Sequence, residues 1–398
     1  MKFQKNSLIH VSYVKGLNIL SMGRLALKDR KIFFEYHADF LKTGLKLSPF
    51  KLPLRAGIFT SEDPLFEGLF GVFNDSLPDG WGRLLLDRKL MKLGINPSEL
   101  SPLDRLRYVG SHGMGALTYE PEIEAKSFSN HLELDEIAEE VFLFQEKDED
   151  QFVDDLLEMN GSSAGARPKI MIHFEGEDWI IKFPSLFDTK DIGAIEYAYH
   201  LMAKEANLDV PKAKLFPSRK GPGYFGVKRF DRDQENRFHI HSISGLLHTD
   251  HRIPSLDYET ILKATLWLTK DVRECEKQFR LAVFNVLTHN RDDHAKNFSF
   301  LMNENGLWTV SKAYDLTFSS GPAGEHCTTV MGEGKNPKLT HLLALASLGG
   351  IKKQKALEII DETKQALLKW NAISRNAGVS KSSSDLIGHA FERILKDM

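Results

Sequence analysis

His289-Asn290-Arg291-Asp292-Asp293-His294-Ala295-Lys296-Asn297, followed eighteen positions on by Asp315 in Lys312-Ala313-Tyr314-Asp315-Leu316, is the stretch that decides how this chain folds. Asp292 and Asn297 stand five residues apart, a spacing that suits phosphoryl transfer, where a carboxylate orients the attacking hydroxyl and an amide holds magnesium. Magnesium is a hard cation that prefers oxygen ligands in octahedral geometry. A neutral amide oxygen and one carboxylate hold it while leaving positions for nucleotide phosphates. Asn297 and Asp315 supply that pair, and Asp292 the base.

The sequence between them predicts how they meet. Residues 298–302 alternate apolar and polar, Asn303-Glu304-Asn305-Gly306 is a turn signal, and residues 307–310 alternate again, which reads as an antiparallel hairpin. A turn centred between Glu304 and Asn305 sets Asn297 opposite Lys312, with Asp315 a few residues past that pairing. Strands roughly 4.8 Å apart allow one ion to be shared.

Upstream, Asn160-Gly161-Ser162-Ser163-Ala164-Gly165-Ala166-Arg167-Pro168-Lys169 places small residues where backbone amides approach phosphate oxygens, and Arg167 and Lys169 add positive charge. It is not a P-loop, because Gly-Lys-Ser/Thr is absent. A hairpin follows, residues 170–174 and 179–183 around Glu175-Gly176-Glu177, and carries Lys182 near its end. Burying that ammonium is costly without a partner. Glu196, fourteen residues on and near the start of a helix expected over residues 192–207, supplies one. Arg229-Phe230-Asp231 closes the last sheet-like segment, where the backbone of residues 228–230 is placed to read an adenine edge. Beyond about residue 240 strands become rare, and residues 256–269, 274–289, 339–346, 353–370 and 384–396 read as helices. Sheet plus one helix, then a helical half, is a bilobal outline.

At 398 residues, two or three domains are expected. Hydrophobic residues at 42% and charged residues at 27% argue against disordered and fibrous classes. A net charge of −3 argues against gripping nucleic acid through the overall field. No apolar run reaches membrane-spanning length and no signal-peptide pattern opens the chain, so the expectation is a cytoplasmic protein with no membrane contact. Cys275 and Cys327 form no Cys-x-x-Cys pair and are expected to be free thiols. Residues 133–158 hold twelve acidic residues and one lysine among apolar residues at helical intervals, which reads as a solvated helical connection.

In this order the loop, Lys182, Arg229-Phe230-Asp231, residues 290–298 and Tyr314-Asp315 resemble the HipA-like serine/threonine kinases, the toxin halves of bacterial toxin–antitoxin pairs. Phe73-Asn74-Asp75-Ser76-Leu77-Pro78-Asp79-Gly80-Trp81-Gly82-Arg83 is similar to the family's N-terminal subdomain, and residues 332–337 and 342–346 to its segment after the metal-binding Asp. The resemblance implies an α+β, bilobal protein-kinase-like fold. A β-rich N-terminal subdomain would occupy residues 1–125, a nucleotide-binding N-lobe 126–238, and an all-helical C-terminal lobe with the catalytic loop 239–398.

Several roles follow from the same resemblance. Asp292 would be the catalytic base, and Asn297 and Asp315 the ligands of Mg2+. ATP would be held by Ser162, Ser163, Ala164, Gly165, Ala166, Arg167, Lys169, Lys182, Glu196, Lys228, Arg229, Phe230 and His294. Ser162, or Ser163, would be autophosphorylated. The protein substrate of characterised relatives is an aminoacyl-tRNA synthetase, and a helix-turn-helix antitoxin of HipB type neutralises them, with DNA contacted only through it.

Two other readings stand beside this one. Asp315 is flanked by Tyr314 and Leu316 rather than sitting in Asp-Phe-Gly, and Asp292 has an acidic neighbour in Asp293, which leaves open an inactive regulatory subunit. His289 and His294 around the two aspartates also suit a metal-dependent phosphohydrolase.

Overall fold

Two tight turns set the register of the N-terminal sheet. Gly16-Leu17 joins β1 (Leu8–Lys15) to β2 (Asn18–Lys28), and Asp29-Arg30, both at positive φ (50° and 61°), joins β2 to β3 (Lys31–Tyr36). Such backbone twist matches that of the strands it connects. With β4 (Ile58–Thr60) and β5 (Leu117–Glu120) these form an antiparallel sheet in the order β4-β3-β2-β1-β5. Ile9, Val11, Tyr13, Leu25 and Phe34 alternate onto its buried face. This is a computed structural model that describes residues 7–61, 63–123, 133–147, 152–160, 165–234 and 236–398.

A second antiparallel sheet, in the order β6-β7-β9-β8, consists of β6 (Lys169–Phe174), β7 (Glu177–Lys182), β8 (Ala213–Phe216) and β9 (Tyr224–Lys228). The turn Glu175-Gly176, at φ 52° and 75°, pairs Phe174 with Glu177 and therefore Lys169 with Lys182. The helix Ile192–Glu205 packs near this sheet and buries Ala198, Tyr199, Met202 and Ala203 completely. The acidic stretch forms the helices Leu134–Lys147 and Val153–Asn160. It is more than a solvated connection: Ile137, Val141, Phe144, Val153 and Leu156 are buried in one cluster with Trp81 of the helix Gly80–Lys92 and Trp179 of β7.

The C-terminal region holds the helices Tyr258–Thr269, Val272–Leu287, Leu339–Leu348, Lys353–Leu368, Trp370–Ala377 and Lys381–Asp397. Asp257 and Asp271 cap the first two by accepting from Glu259 and Arg273 N–H groups. The all-helical expectation is corrected in two places: Leu256–Asp257 pairs in parallel with Thr328–Thr329, and a larger sheet forms as well. The strand His239–Ser242 pairs with Ser299–Met302, which pairs with Trp308–Val310, to give a three-stranded sheet. The hairpin is present but its register moves by one residue: Phe300 faces Val310 and Met302 faces Trp308. Asn303 causes the shift, because its side chain accepts from the N–H groups of both Asn305 and Leu307 and closes a five-residue loop in which Gly306 takes φ 77°.

Buried polar ties fasten the N-terminal sheet region to the rest. Fully buried Asp231 accepts from Arg229 (3.0 and 2.8 Å), Arg232 (2.8 Å) and the N–H of Gly115 (2.7 Å). Asp75 accepts from the N–H (2.8 Å) and hydroxyl (2.6 Å) of Ser242 and lies 2.6 Å from His241, which reaches Ser48 at 2.9 Å. Ser48-His241-Asp75 has the order of a nucleophilic triad. Both Ser48 and His241 are sealed from solvent, so the chain of bonds acts as a tie between segments.

Candidate active site

The β6-β7 turn has a direct consequence for charge. It places Lys169, which is buried, and Lys182, at 11% side-chain exposure, opposite each other on neighbouring strands, and like charges so placed repel. Carboxylates from two other elements compensate. Lys182 Nζ lies 2.8 Å from Glu196 Oε2 on the helix Ile192–Glu205 and 2.5 Å from Asp315 Oδ1. Burial alone would pull the Lys182 pKa down, but Asp315 and Glu196 raise it above the ordinary value, while burial leaves that of Lys169 lowered. Burial likewise works to raise the Asp315 carboxyl, yet Lys182, Lys169 and Arg167 hold it well below the usual carboxylate range. Asp315 sits at φ 57°, a left-handed conformation uncommon for any residue but glycine.

Arg167 donates to Glu196 (2.6 Å) and Asp188 (3.1 Å). Its charge is therefore largely matched within the protein. Gly165, Ala166 and Lys169 line the cavity described below, whereas Ser162, Ser163 and Ala164 lie outside the described residues.

The helix Val272–Leu287 delivers the nine-residue stretch. After it, His289 turns the chain at φ 56° and exchanges hydrogen bonds with Ser319. The two neighbouring aspartates then diverge. Asp293 turns inward, 1% exposed, and accepts from Tyr258 (2.8 Å) and the N–H of Thr328 (3.2 Å), with His326 at 2.9 Å. Asp292 is exposed, and its pKa is raised, first by burial of the carboxyl and then by Asp315, against the pull of His294. Asn297 donates its amide N–H to the Asp292 carbonyl at 2.7 Å, which leaves its Oδ1 as an acceptor. Arg291 reaches across to the carbonyls of Gly324 and Lys335 and holds the segment that follows Asp315.

A cavity of about 300 Å³ lies where these parts meet. Lys182, Glu196, His294, Asn297 and Asp315 line it, with Val227, Phe225 and Ile180 on its apolar wall. Asp292 stands outside the wall, close enough to Asp315 for its charge to be felt.

The three residues expected at the hinge, Lys228, Arg229 and Phe230, all line the cavity, but two of the backbone donors expected there are already taken. The N–H groups of Lys228 and Arg229 are engaged by the carbonyls of Lys212 and Asp178, so they cannot read a base. Phe230 lines the cavity, and its N–H has no hydrogen-bond partner among the described residues. The Arg229 guanidinium is held by Asp231, and Lys228 pairs with Glu177 at 3.0 Å. Two residues the sequence did not single out belong here. Lys296 and Asp79 form an ion pair on the cavity wall. Lys296 stood inside the quoted stretch, while Asp79 looked like a turn residue before a helix.

Two family models match. One described as the HipA N-terminal domain covers residues 17–120, and one described as the HipA-like C-terminal domain covers residues 161–370. A curated relative, a "Putative kinase" of Haemophilus influenzae, is 26% identical over 178 residues; the match takes in 39% of this chain, and the chain spans 52% of that relative's length. Among solved structures, a chain of the Shewanella oneidensis MR-1 toxin–antitoxin complex of HipA, HipB and its operator DNA aligns over 97% of this chain and 96% of its own. The TM-score is 0.69 at 17% identity, a likeness of fold. Because the C-terminal model alone spans more than half of the sequence and the N-terminal model precedes it in order, this chain belongs to the HipA family.

Proposed function

We propose that the chain is an ATP- and Mg2+-dependent serine/threonine protein kinase of toxin type. One observation carries the reading: Lys182 bridges Glu196 and Asp315 in a cavity that Asn297 also lines, with Asp292 beside it. Burying charge costs stability, and ionisable groups so strongly perturbed by one another in a cleft are characteristic of functional sites. The donor set suits magnesium, since the Asn297 Oδ1 and the deprotonated Asp315 carboxylate would offer it oxygen ligands in the same cavity. Bound magnesium would neutralise charge on the phosphate oxygens. Among the described residues, no group of three or more His, Cys, Asp or Glu side chains is arranged to hold a metal.

In this mechanism Lys182 contacts the nucleotide phosphates, and Glu196 keeps its ammonium in place. The substrate Ser or Thr hydroxyl attacks the γ-phosphorus, the bond to the β-bridging oxygen breaks, the hydroxyl proton passes to Asp292, and ADP leaves. Asp293, locked inward, takes no part. By family resemblance the protein substrate is an aminoacyl-tRNA synthetase, Ser162 or Ser163 is autophosphorylated, a helix-turn-helix antitoxin of HipB type inhibits the chain and links it to DNA, and the setting is cytoplasmic. Residues 1–125, 126–238 and 239–398 serve as its three functional parts.

Because Asp292 must be ionised to accept a proton and its pKa is raised, kcat/KM should fall as pH drops through a value above that of an ordinary aspartate. A profile whose acid limb lies at or below pH ~4 would remove Asp292 as the base. Lys182→Met should lower kcat/KM for ATP by at least ~10²-fold in a phosphoryl-transfer assay.

A further inference from the structure

Asp79 precedes the helix Gly80–Lys92 at its N-cap position, where an aspartate ordinarily accepts from its own helix. Here its side chain makes no cap bond to that helix. One carboxylate oxygen accepts instead from the N–H of Gly165, and the other from the ammonium of Lys296. In return, the N–H of Trp81 donates to the Gly165 carbonyl at 3.0 Å. The fit is close: a Cβ on Gly80, at φ 44°, would stand 2.5 Å from the Gly165 oxygen and 2.7 Å from the Ala166 Cα. His251 approaches the same carboxylate at 3.9 Å. Burial works to raise the Asp79 carboxyl, and Lys296 and the Gly165 N–H together hold it below its usual value.

We propose that Asp79 is a positioning residue through which the N-terminal region clamps Gly165 and Lys296 in their places on the nucleotide cavity. A single carboxylate joins three segments far apart in sequence, two of which line the cavity along with Asp79 itself. The geometry gives its oxygens separate tasks. The Gly165 contact sets where the loop end lies, and the Lys296 contact sets where an ammonium points. Gly80 permits the approach, so the helix start and the loop end move together. The inference rests on the reading of the cavity as an ATP site.

Three full-length variants test it: Asp79→Ala, Asp79→Asn and Gly80→Ala. Without nucleotide, amide hydrogen exchange in the peptide spanning residues 160–169 should rise ~10-fold or more in Asp79→Ala, the scale of a lost hydrogen bond to a charged group. Asp79→Asn keeps an oxygen for Gly165 and should stay within ~3-fold of the parent in that peptide. With Mg-ATP, Asp79→Ala and Gly80→Ala should raise the dissociation constant ~10-fold. Asp79→Asn should retain affinity yet lose kcat, because only the Lys296 pairing is gone.

Unchanged exchange in Asp79→Ala overturns the clamp. Raised exchange with parental ATP affinity overturns its role at the nucleotide site. A uniform loss in Asp79→Ala and Asp79→Asn, accompanied by a lower Tm, overturns the separation of tasks. Failure of the parent to bind Mg-ATP instead defeats the kinase reading, whatever the exchange shows.

Discussion

Asp292→Asn should abolish phosphoryl transfer, with a loss of at least ~10³-fold in kcat, and leave the Tm unchanged or higher. Both halves come from the same environment. The residue is exposed, but crowding of its carboxyl by neighbouring atoms and the like charge of Asp315 disfavour the ionised form, as its raised pKa reflects. Replacing it by a neutral amide of the same shape removes that penalty and also removes the proton acceptor. A gain in stability coupled to a loss of activity is the signature of a group kept for chemistry. Asp293→Asn should behave in the opposite way. Its side chain is bonded to Tyr258 and Thr328 and lies against His326, so the substitution should lower Tm and reduce activity only as far as the loop is disturbed. Thermal scans and initial rates on the two variants separate the neighbours.

Asp231→Ala should produce the largest loss of stability, about 4 kcal/mol, because removing one member of a buried charged group leaves the others without compensation. Arg229 and Arg232 would remain at 8% and 11% side-chain exposure with no carboxylate in contact. Linkage gives a second readout. Burial works to raise the Asp231 pKa, but Arg229 and Arg232 bring it from 3.8 down to about 2. A carboxylate with a depressed folded pKa contributes stability that is complete above the unfolded value and disappears as pH falls towards the folded one. The parent should therefore lose ~2 kcal/mol from this group between pH 4 and pH 2, and Asp231→Ala should lack that part of the acid dependence. Denaturant titrations across that window measure both effects. Equal acid slopes in parent and variant would mean that the carboxylate is not held ionised by its arginines.

The physics explains which parts of this architecture were legible in the residues. Glu175-Gly176 is a two-residue turn signal, and counting outward from it brings Lys169 against Lys182. Glu196 was visible as the carboxylate on the following helix, and the five-residue interval from Asp292 to Asn297 survives as a hydrogen bond between them. The hairpin register was missed by one residue because a side chain, Asn303, closes the loop, and side-chain closure leaves no trace in alternation. The strand His239–Ser242 was overlooked because its alternate positions are histidines. Both are buried, and desolvation pulls the pKa of His239 down to about 3, so a residue that reads as polar behaves as part of the core.

Arg229 was misjudged for a related reason. Its nearest carboxylate, Asp231, is two residues away, and a buried pair that close in sequence looks like a turn. Asp79 was beyond reach: Gly165 lies 86 residues downstream, and only the folded chain brings the two together.

Transfer of label from γ-³²P-ATP to protein tests the account most directly, measured for the parent, Asp292→Asn and Asp315→Ala with magnesium and with chelator, using the purified chain alone and with added bacterial extract. The parent should label protein only when magnesium is present, and neither variant should label above background. Equal labelling by all three proteins, or magnesium-independent labelling by the parent, would contradict the convergence of Asp292, Asn297 and Asp315 on one phosphoryl-transfer site.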